Sequence, residues 1–201
     1  MVSKEKELQE LDDFYNNALL LGETRIVYKD FEISKTKDGL WRLDRFIPNM
    51  DKKIKELNIP SFIKVIGCGA FIFSYFKSVT IPEGIIKIED MAFNGAKIRE
   101  LSLPSTLMEI GNMAFSSCHI KELYIPDSVK SIGSHAFADN FCMKTVSIPC
   151  GIFVGDLAFT RCGKDVGEKN ARLEIRNGEK IKLGHSPFLY SIFNKMNYFV
   201  S

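Results

Sequence analysis

Along much of this chain apolar and polar residues alternate for three positions and then meet a proline, as in Leu101-Ser102-Leu103-Pro104, Leu123-Tyr124-Ile125-Pro126 and Val146-Ser147-Ile148-Pro149. A period of two predicts a strand with one buried face. Proline has no N–H to give a neighbouring strand and holds φ at about −65°, so it belongs where the ladder stops and a turn begins. Beyond each turn two apolar residues stand three apart: Ile63 and Ile66, Ile85 and Ile88, Leu107 and Ile110, Val129 and Ile132. These return the chain along a second wall.

The unit is written five times, as LNIPSFIKVIGCGAF from residue 57, VTIPEGIIKIEDMAF from 79, LSLPSTLMEIGNMAF from 101, LYIPDSVKSIGSHAF from 123 and VSIPCGIFVGDLAF from 146. Phe71, Phe93, Phe115, Phe137 and Phe159 keep an unbroken 22-residue spacing. The prolines run Pro60, Pro82, Pro104, Pro126 and Pro149, so the fifth copy gains a residue before its strand and loses one after it. Stacked copies predict a parallel sheet with one strand per coil. Gly67, Gly111 and Gly133 mark a corner that needs positive φ or close backbone approach, a need that Glu89 in the second copy shows not to be absolute. Ala70, Ala92, Ala114, Ala136 and Ala158 leave room for one methyl group, and the phenyl after each joins a ladder at ~4.8 Å spacing through the interior. No coil can bury its own apolar face, so stability comes from neighbouring coils.

The pattern L-x-I-P-x-x-V-x-x-I-G-x-x-A-F-x-x-C resembles the BspA-like leucine-rich repeats over residues 55 to 163. The resemblance implies a leucine-rich-repeat solenoid, mainly β with short helical turns. It also implies protein-protein interaction related to adhesion, at a cell surface or after secretion.

The flanks are read as parts of the same continuous domain. Residues 1–24 place Leu8, Leu11, Tyr15, Ala18 and Leu19 on one helical stripe with Ser3 as N-cap, predicting an amphipathic helix over the first coil. Residues 25–54 resemble the hairpin that opens such arrays: a strand, a turn at Lys37-Asp38-Gly39, then a strand carrying Trp41 and Leu43. Residues 164–201 hold a degenerate sixth repeat (173 to 188), with Arg176 in the place of the proline, and a C-terminal helix. That helix starts at Ser186 and Pro187 and carries Leu189, Ile192, Phe193, Met196 and Val200 on one face.

A composition of 45% hydrophobic and 26% charged residues fits an ordinary globular body. The net charge of +2 gives no electrostatic case for nucleic acid or lipid, and Lys52, Lys53, Lys55, Lys180 and Lys182 read as solvated surface. No run is long enough to span a bilayer and the first residues do not form a secretory signal, so the expected compartment of the chain as given is the cytoplasm. Five cysteines without close-paired spacing fit reduced thiols, with Cys118 and Cys162, each three residues after a Phe, in buried packing.

Signals for chemistry are weak. His119, His135 and His185 lack a Cys or carboxylate at zinc-ligand spacing; Gly67-Cys68-Gly69 belongs to a corner, not to a phosphate loop; and Ser105, Ser128 and Ser131 are turn residues. The expectation is a protein without catalysis, metal or cofactor. Its surface is the outward face of the strands: Asn58, Thr80, Ser102, Tyr124 and Ser147, with Glu56, Ser78, Glu100, Glu122 and Thr145 two residues earlier. This row is small, polar and mildly acidic, which suits another protein or an extended peptide, with Tyr124 as anchor, and argues against nucleic acid. The alternative is a self-assembling repeat protein that uses the C-terminal apolar helix. The chain is expected to be a monomer or weak homo-oligomer.

Overall fold

The computed structural model describes residues 4–22, 24–47, 57–166, 172–176, 182–191 and 199–200. Glu56, Ser3, and the residues of the expected C-terminal helix from Ile192 to Met196 lie outside these. The helix α1 (Lys4–Leu20) is followed by the strands β1 (Ile26–Tyr28), β2 (Phe31–Lys35) and β3 (Trp41–Phe46). β2 and β3 form the expected antiparallel hairpin, closed by Thr36 and Gly39, which has φ 76°. Leu11, Tyr15 and Ala18 are buried, whereas Leu19 is exposed, because the buried stripe follows the three- and four-residue steps of a single helical face. The helix meets the hairpin: the Tyr15 ring stands edge-on to Trp41 at 5.2 Å, and the Tyr15 hydroxyl accepts the Lys35 N–H at 3.2 Å.

Each coil after the first contributes two strands rather than the expected one, the first only its return-wall strand among the described residues. The return walls carry β4 (Val65–Ile66), β6 (Lys87–Ile88), β8 (Glu109–Ile110), β10 (Ser131–Ile132), β12 (Phe153–Val154) and β14 (Lys182–Leu183). The first walls carry β5 (Ser78–Thr80), β7 (Glu100–Ser102), β9 (Glu122–Tyr124), β11 (Thr145–Pro149), β13 (Arg172–Arg176) and β15 (Phe199–Val200). Both series pair in parallel, and the return-wall sheet runs on into β3, β2 and β1. Val200, expected on a helical face, is in β15, where Ile175 is its partner across β13.

The turn after each corner is not helical. Phe71, Phe93, Phe115, Phe137 and Phe159 donate their N–H to the next coil, to the carbonyls of Ala92, Ala114, Ala136, Ala158 and Pro187, at 2.7 to 2.8 Å. A donor committed along the solenoid axis is lost to an i→i−4 bond, so the segment becomes linked turns. Two left-handed residues four apart accompany every such turn: Gly69 and Phe73, Met91 and Gly95, Met113 and Ser117, His135 and Asp139, Leu157 and Arg161, Ser186 and Tyr190. The last pair shows what Ser186 and Pro187 do. They open no helix: Pro187 fills the alanine place and residues 187–190 are a turn.

The corner glycines, by contrast, are required for close approach and not for φ. A Cβ at Gly67 would sit 2.7 Å from the Leu43 carbonyl oxygen, at Gly111 2.6 Å from Asp90 Oδ1, and at Gly133 2.8 Å from Asn112 Oδ1. Those side chains are where they are because each accepts the N–H of its counterpart one coil on: Asp90 from Asn112, Asn112 from Ser134, and Asp156 from His185, at 2.6 to 2.8 Å. The coil before Glu89 has Cys68 in that place, and there the Glu89 carboxylate reaches back to accept the Cys68 N–H at 3.0 Å.

The interior holds the phenyl ladder. Six rings, Phe71 to Phe159 and then Phe188, stack with centroids 4.7 to 5.4 Å apart and planes within 11° of parallel. Phe46 continues the column into the hairpin, tilted by 34°. Beside it runs a second column, three residues after each Phe. Cys118 and Cys162 are buried in it with Sγ against the Phe93 and Phe137 carbonyls, at 3.2 and 3.0 Å. Asn140 holds the place between them, its amide satisfied by the Phe115 and Phe137 carbonyls and the Ile120 N–H.

Phe115→Ala leaves neighbours on both sides without a partner and should lower unfolding stability by about 3 to 5 kcal/mol in urea titration. Burial pushes both the Cys118 and Cys162 thiols up to about 12. A thiol that ionises later in the folded than in the unfolded chain stabilises the fold below the unfolded value of 9.0. That contribution should fade as pH rises from 9 toward 12, and at pH 8 alkylation should modify the exposed Cys68 well before either buried thiol.

Candidate functional site

The first-wall sheet presents its outward side chains in straight rows, because the period-two pleat turns alternate residues out and the parallel register places each beside its counterpart. Ser78 pairs with Glu100, Glu100 with Glu122, and Glu122 with Thr145. The second row pairs Thr80 with Ser102 and Tyr124 with Ser147. Ser78, Thr80, Glu100, Ser102, Glu122 and Tyr124 are exposed, and Thr145 and Ser147 half-buried. Asn58 is exposed on a segment without strand pairing.

At the first coil the rows border a hollow of about 590 Å³, which brings together Asn58, Ser78, Thr80 and Glu100 with Lys77, Leu57 and Ile59. Among the described residues that line it, Glu100 and Lys77 are the titratable side chains, and no carboxylate, histidine or thiol stands with Glu100. Nearby, Glu83 accepts both the N–H and the hydroxyl of Ser105 at 3.0 Å, and chiefly that backbone hydrogen bond holds its carboxyl below the usual range. The effect is to tie one post-proline turn to the next. Among the described residues no three His, Cys, Asp or Glu side chains cluster as metal ligands.

Arg176 changes the other end of the face. β13 is two residues longer than β7 or β9, so Arg176 stands opposite Pro149 and its side chain runs back across two strands. The guanidinium lies 3.9 Å from the Tyr124 ring centroid, a cation–π contact, and donates to Ser147 Oγ and Asp127 Oδ1, each at 2.7 Å, and to the Ile125 carbonyl. Its Nε is buried without a hydrogen-bond partner. Tyr124 therefore is not a free ring flanked only by carboxylates: one of its faces is covered, although the residue stays 56% exposed. The sequence signal for this was an arginine replacing the repeat proline, with an aromatic two coils earlier in the adjoining row. Removing the guanidinium by Arg176→Ala should cost about 2 kcal/mol of unfolding stability. Arg176→Lys should restore less than half of it, since an ammonium cannot stack and fork together; denaturant titration of the three proteins checks this.

The comparisons with known proteins agree with this geometry. A family model described as the BspA type leucine rich repeat region (6 copies) matches residues 49–164, more than half of the chain. No curated protein matches. Among solved structures, the pneumococcal vaccine antigen PcpA is similar with a TM-score of 0.67 at 19% identity, covering 83% of this chain and 47% of its own. A leucine rich cell surface protein from Faecalibacterium prausnitzii A2-165 is similar with a TM-score of 0.63 at 20% identity, covering 80% and 40%. The T. pallidum leucine rich repeat protein TpLRR has a TM-score of 0.56 at 24% identity, covering 80% and 86%. The chain thus spans under half the length of the first two, and the likeness is one of fold. Corner glycines, phenyl ladder and matched repeat region together make this chain a member of the BspA-type leucine-rich repeat family.

Proposed function

We propose that the protein binds another protein, in an extended segment, through the first-wall sheet, and that it does so without catalysis. The observation that carries the reading is the pair of exposed, register-locked polar rows running across β5, β7 and β9. A surface that repeats one side chain per coil suits a partner that is itself a repeating, extended chain. Glu100, Ser102 and Glu122 offer hydrogen-bond acceptors and donors along it, and the open face of Tyr124 offers an apolar contact beside Arg176. Burial of Cys118 and Cys162 with thiols pushed up to about 12 leaves them as packing groups and not nucleophiles, which supports the non-catalytic reading. Similarity in fold to a cell surface protein and to a vaccine antigen supports a role in contact at a cell surface. In this reading the chain works as a monomer or weak homo-oligomer and needs no cofactor.

Affinity capture from the native cell, repeated with Tyr124→Ala plus Glu122→Lys, tests the choice of face. Loss of the captured partner with unchanged circular dichroism is expected; undiminished capture would sink it.

A further inference from the structure

Immediately before the Ser78, Glu100, Glu122 and Thr145 row stands a second row, Lys77, Arg99, Lys121 and Lys144, one cation per coil and all exposed. The backbone fixes them side by side: Arg99 N–H donates to the Lys77 carbonyl at 3.0 Å, Lys121 to Arg99 at 3.2 Å, and Lys144 to Lys121 at 2.6 Å. None of the four is ion-paired to a described residue. Like charges directly opposite on neighbouring strands destabilise a sheet. Here the register imposes that repulsion twice, since Glu100 also faces Glu122. A ligand that sets an opposite charge against each row would relieve the like-charge contacts along it.

We propose that the segment bound by the sheet face is a polypeptide of alternating charge, running along the solenoid axis with its acidic edge on Lys77, Arg99, Lys121 and Lys144 and its basic edge on Glu100 and Glu122. This rests on the reading of the sheet face as the interface and adds the chemistry of the occupant. In an extended chain successive side chains point to opposite sides, so acidic and basic residues in alternation form two edges of opposite sign. The four cations span about 14 Å at the strand spacing, the length of about four to five extended residues, so two or three acidic side chains about 6.7 Å apart lie along the row. A uniform polyanion fits less well. Glu100 and Glu122 directly follow Arg99 and Lys121 in the chain, about 3.8 Å on at Cα, and would repel the sulfates or phosphates that the cations attract within a Debye length of about 8 Å.

A fluorescently labelled peptide of five Glu-Lys repeats is the probe, followed by anisotropy at 50 mM salt. The same composition in blocks, five Glu then five Lys, and heparin are its comparators. Binding by the alternating peptide should be at least about fivefold tighter than by the block peptide. It should weaken about tenfold when the four cations are changed together to Ala, and severalfold for Glu100→Ala plus Glu122→Ala. A second variant with Gln at the four cation positions keeps the surface polar, and circular dichroism checks that each variant folds. Tighter binding of heparin than of the alternating peptide, equal binding of the two peptides, no binding, or no loss in the cation variants would each overturn the proposal. If the native partner is lost with Tyr124→Ala plus Glu122→Lys yet survives the four-cation variant, the face stands and the charge match falls. Loss of peptide binding in the cation variants with a partner indifferent to the Tyr124 change gives the reverse.

Discussion

Each residue of a coil lies opposite its own counterpart in the next, about 4.8 Å away, and can escape neither that neighbour's size nor its charge. The rest of the molecule follows from this constraint. A phenyl must accept a phenyl in parallel stacking, and the Ala92, Ala114, Ala136 and Ala158 column must stay small because there is no lateral slack. Gly111 and Gly133 are needed because the backbone of the preceding coil, at Glu89-Asp90 and Gly111-Asn112, already fills the space, together with the Asp90 and Asn112 side chains held by hydrogen bonds to the coil after them. A coil taken alone has no such partners, so the stability of the array is the sum of its contacts between neighbours.

Much of this was legible in the sequence because repetition turns one weak pattern into five agreeing ones. The Phe, Ala and Gly columns, the proline at the strand end, the hairpin at Gly39 and the buried Cys118 and Cys162 all sit as their spacing indicates. Features set by contacts between coils were harder to read. A two-residue strand such as Val65–Ile66 has no periodicity of its own and exists only through pairing with the walls on either side. The apolar stripe after Ser186 has helical spacing, but over residues 187–190 the backbone continues the solenoid, because Phe188 completes the phenyl column and Pro187 the alanine one.

The site follows the same division. Outward positions on β5, β7 and β9 could be counted from the pleat, whereas Arg176 meets Tyr124 only through a side chain that crosses two strands, a relation 52 residues long in sequence. That crossing ties β13 to β9 over β11, so the C-terminal part of the face is more tightly joined than the part near Ser78. The cation row is hidden in the sequence for another reason. Lys77, Arg99, Lys121 and Lys144 each look like an ordinary surface charge, and only the register makes them a line.

The left-handed pairs at the corners carry a consequence of a different kind. Ten of those twelve positions are held by residues other than glycine, among them Phe73, Met91, Leu157 and Tyr190. An L-residue in this conformation costs roughly 1 to 2 kcal/mol, so the shape there is imposed by hydrogen bonds to the adjoining coil and not by the local residue. Because the fold does not depend on which side chain occupies the corner, those corners are where the surface of the array can diversify fastest. Phe73 and Tyr190, each 76% exposed, already display aromatic rings there. Two proteins with the same coil could thus differ completely in what their corners present, while the strands behind them stay unchanged.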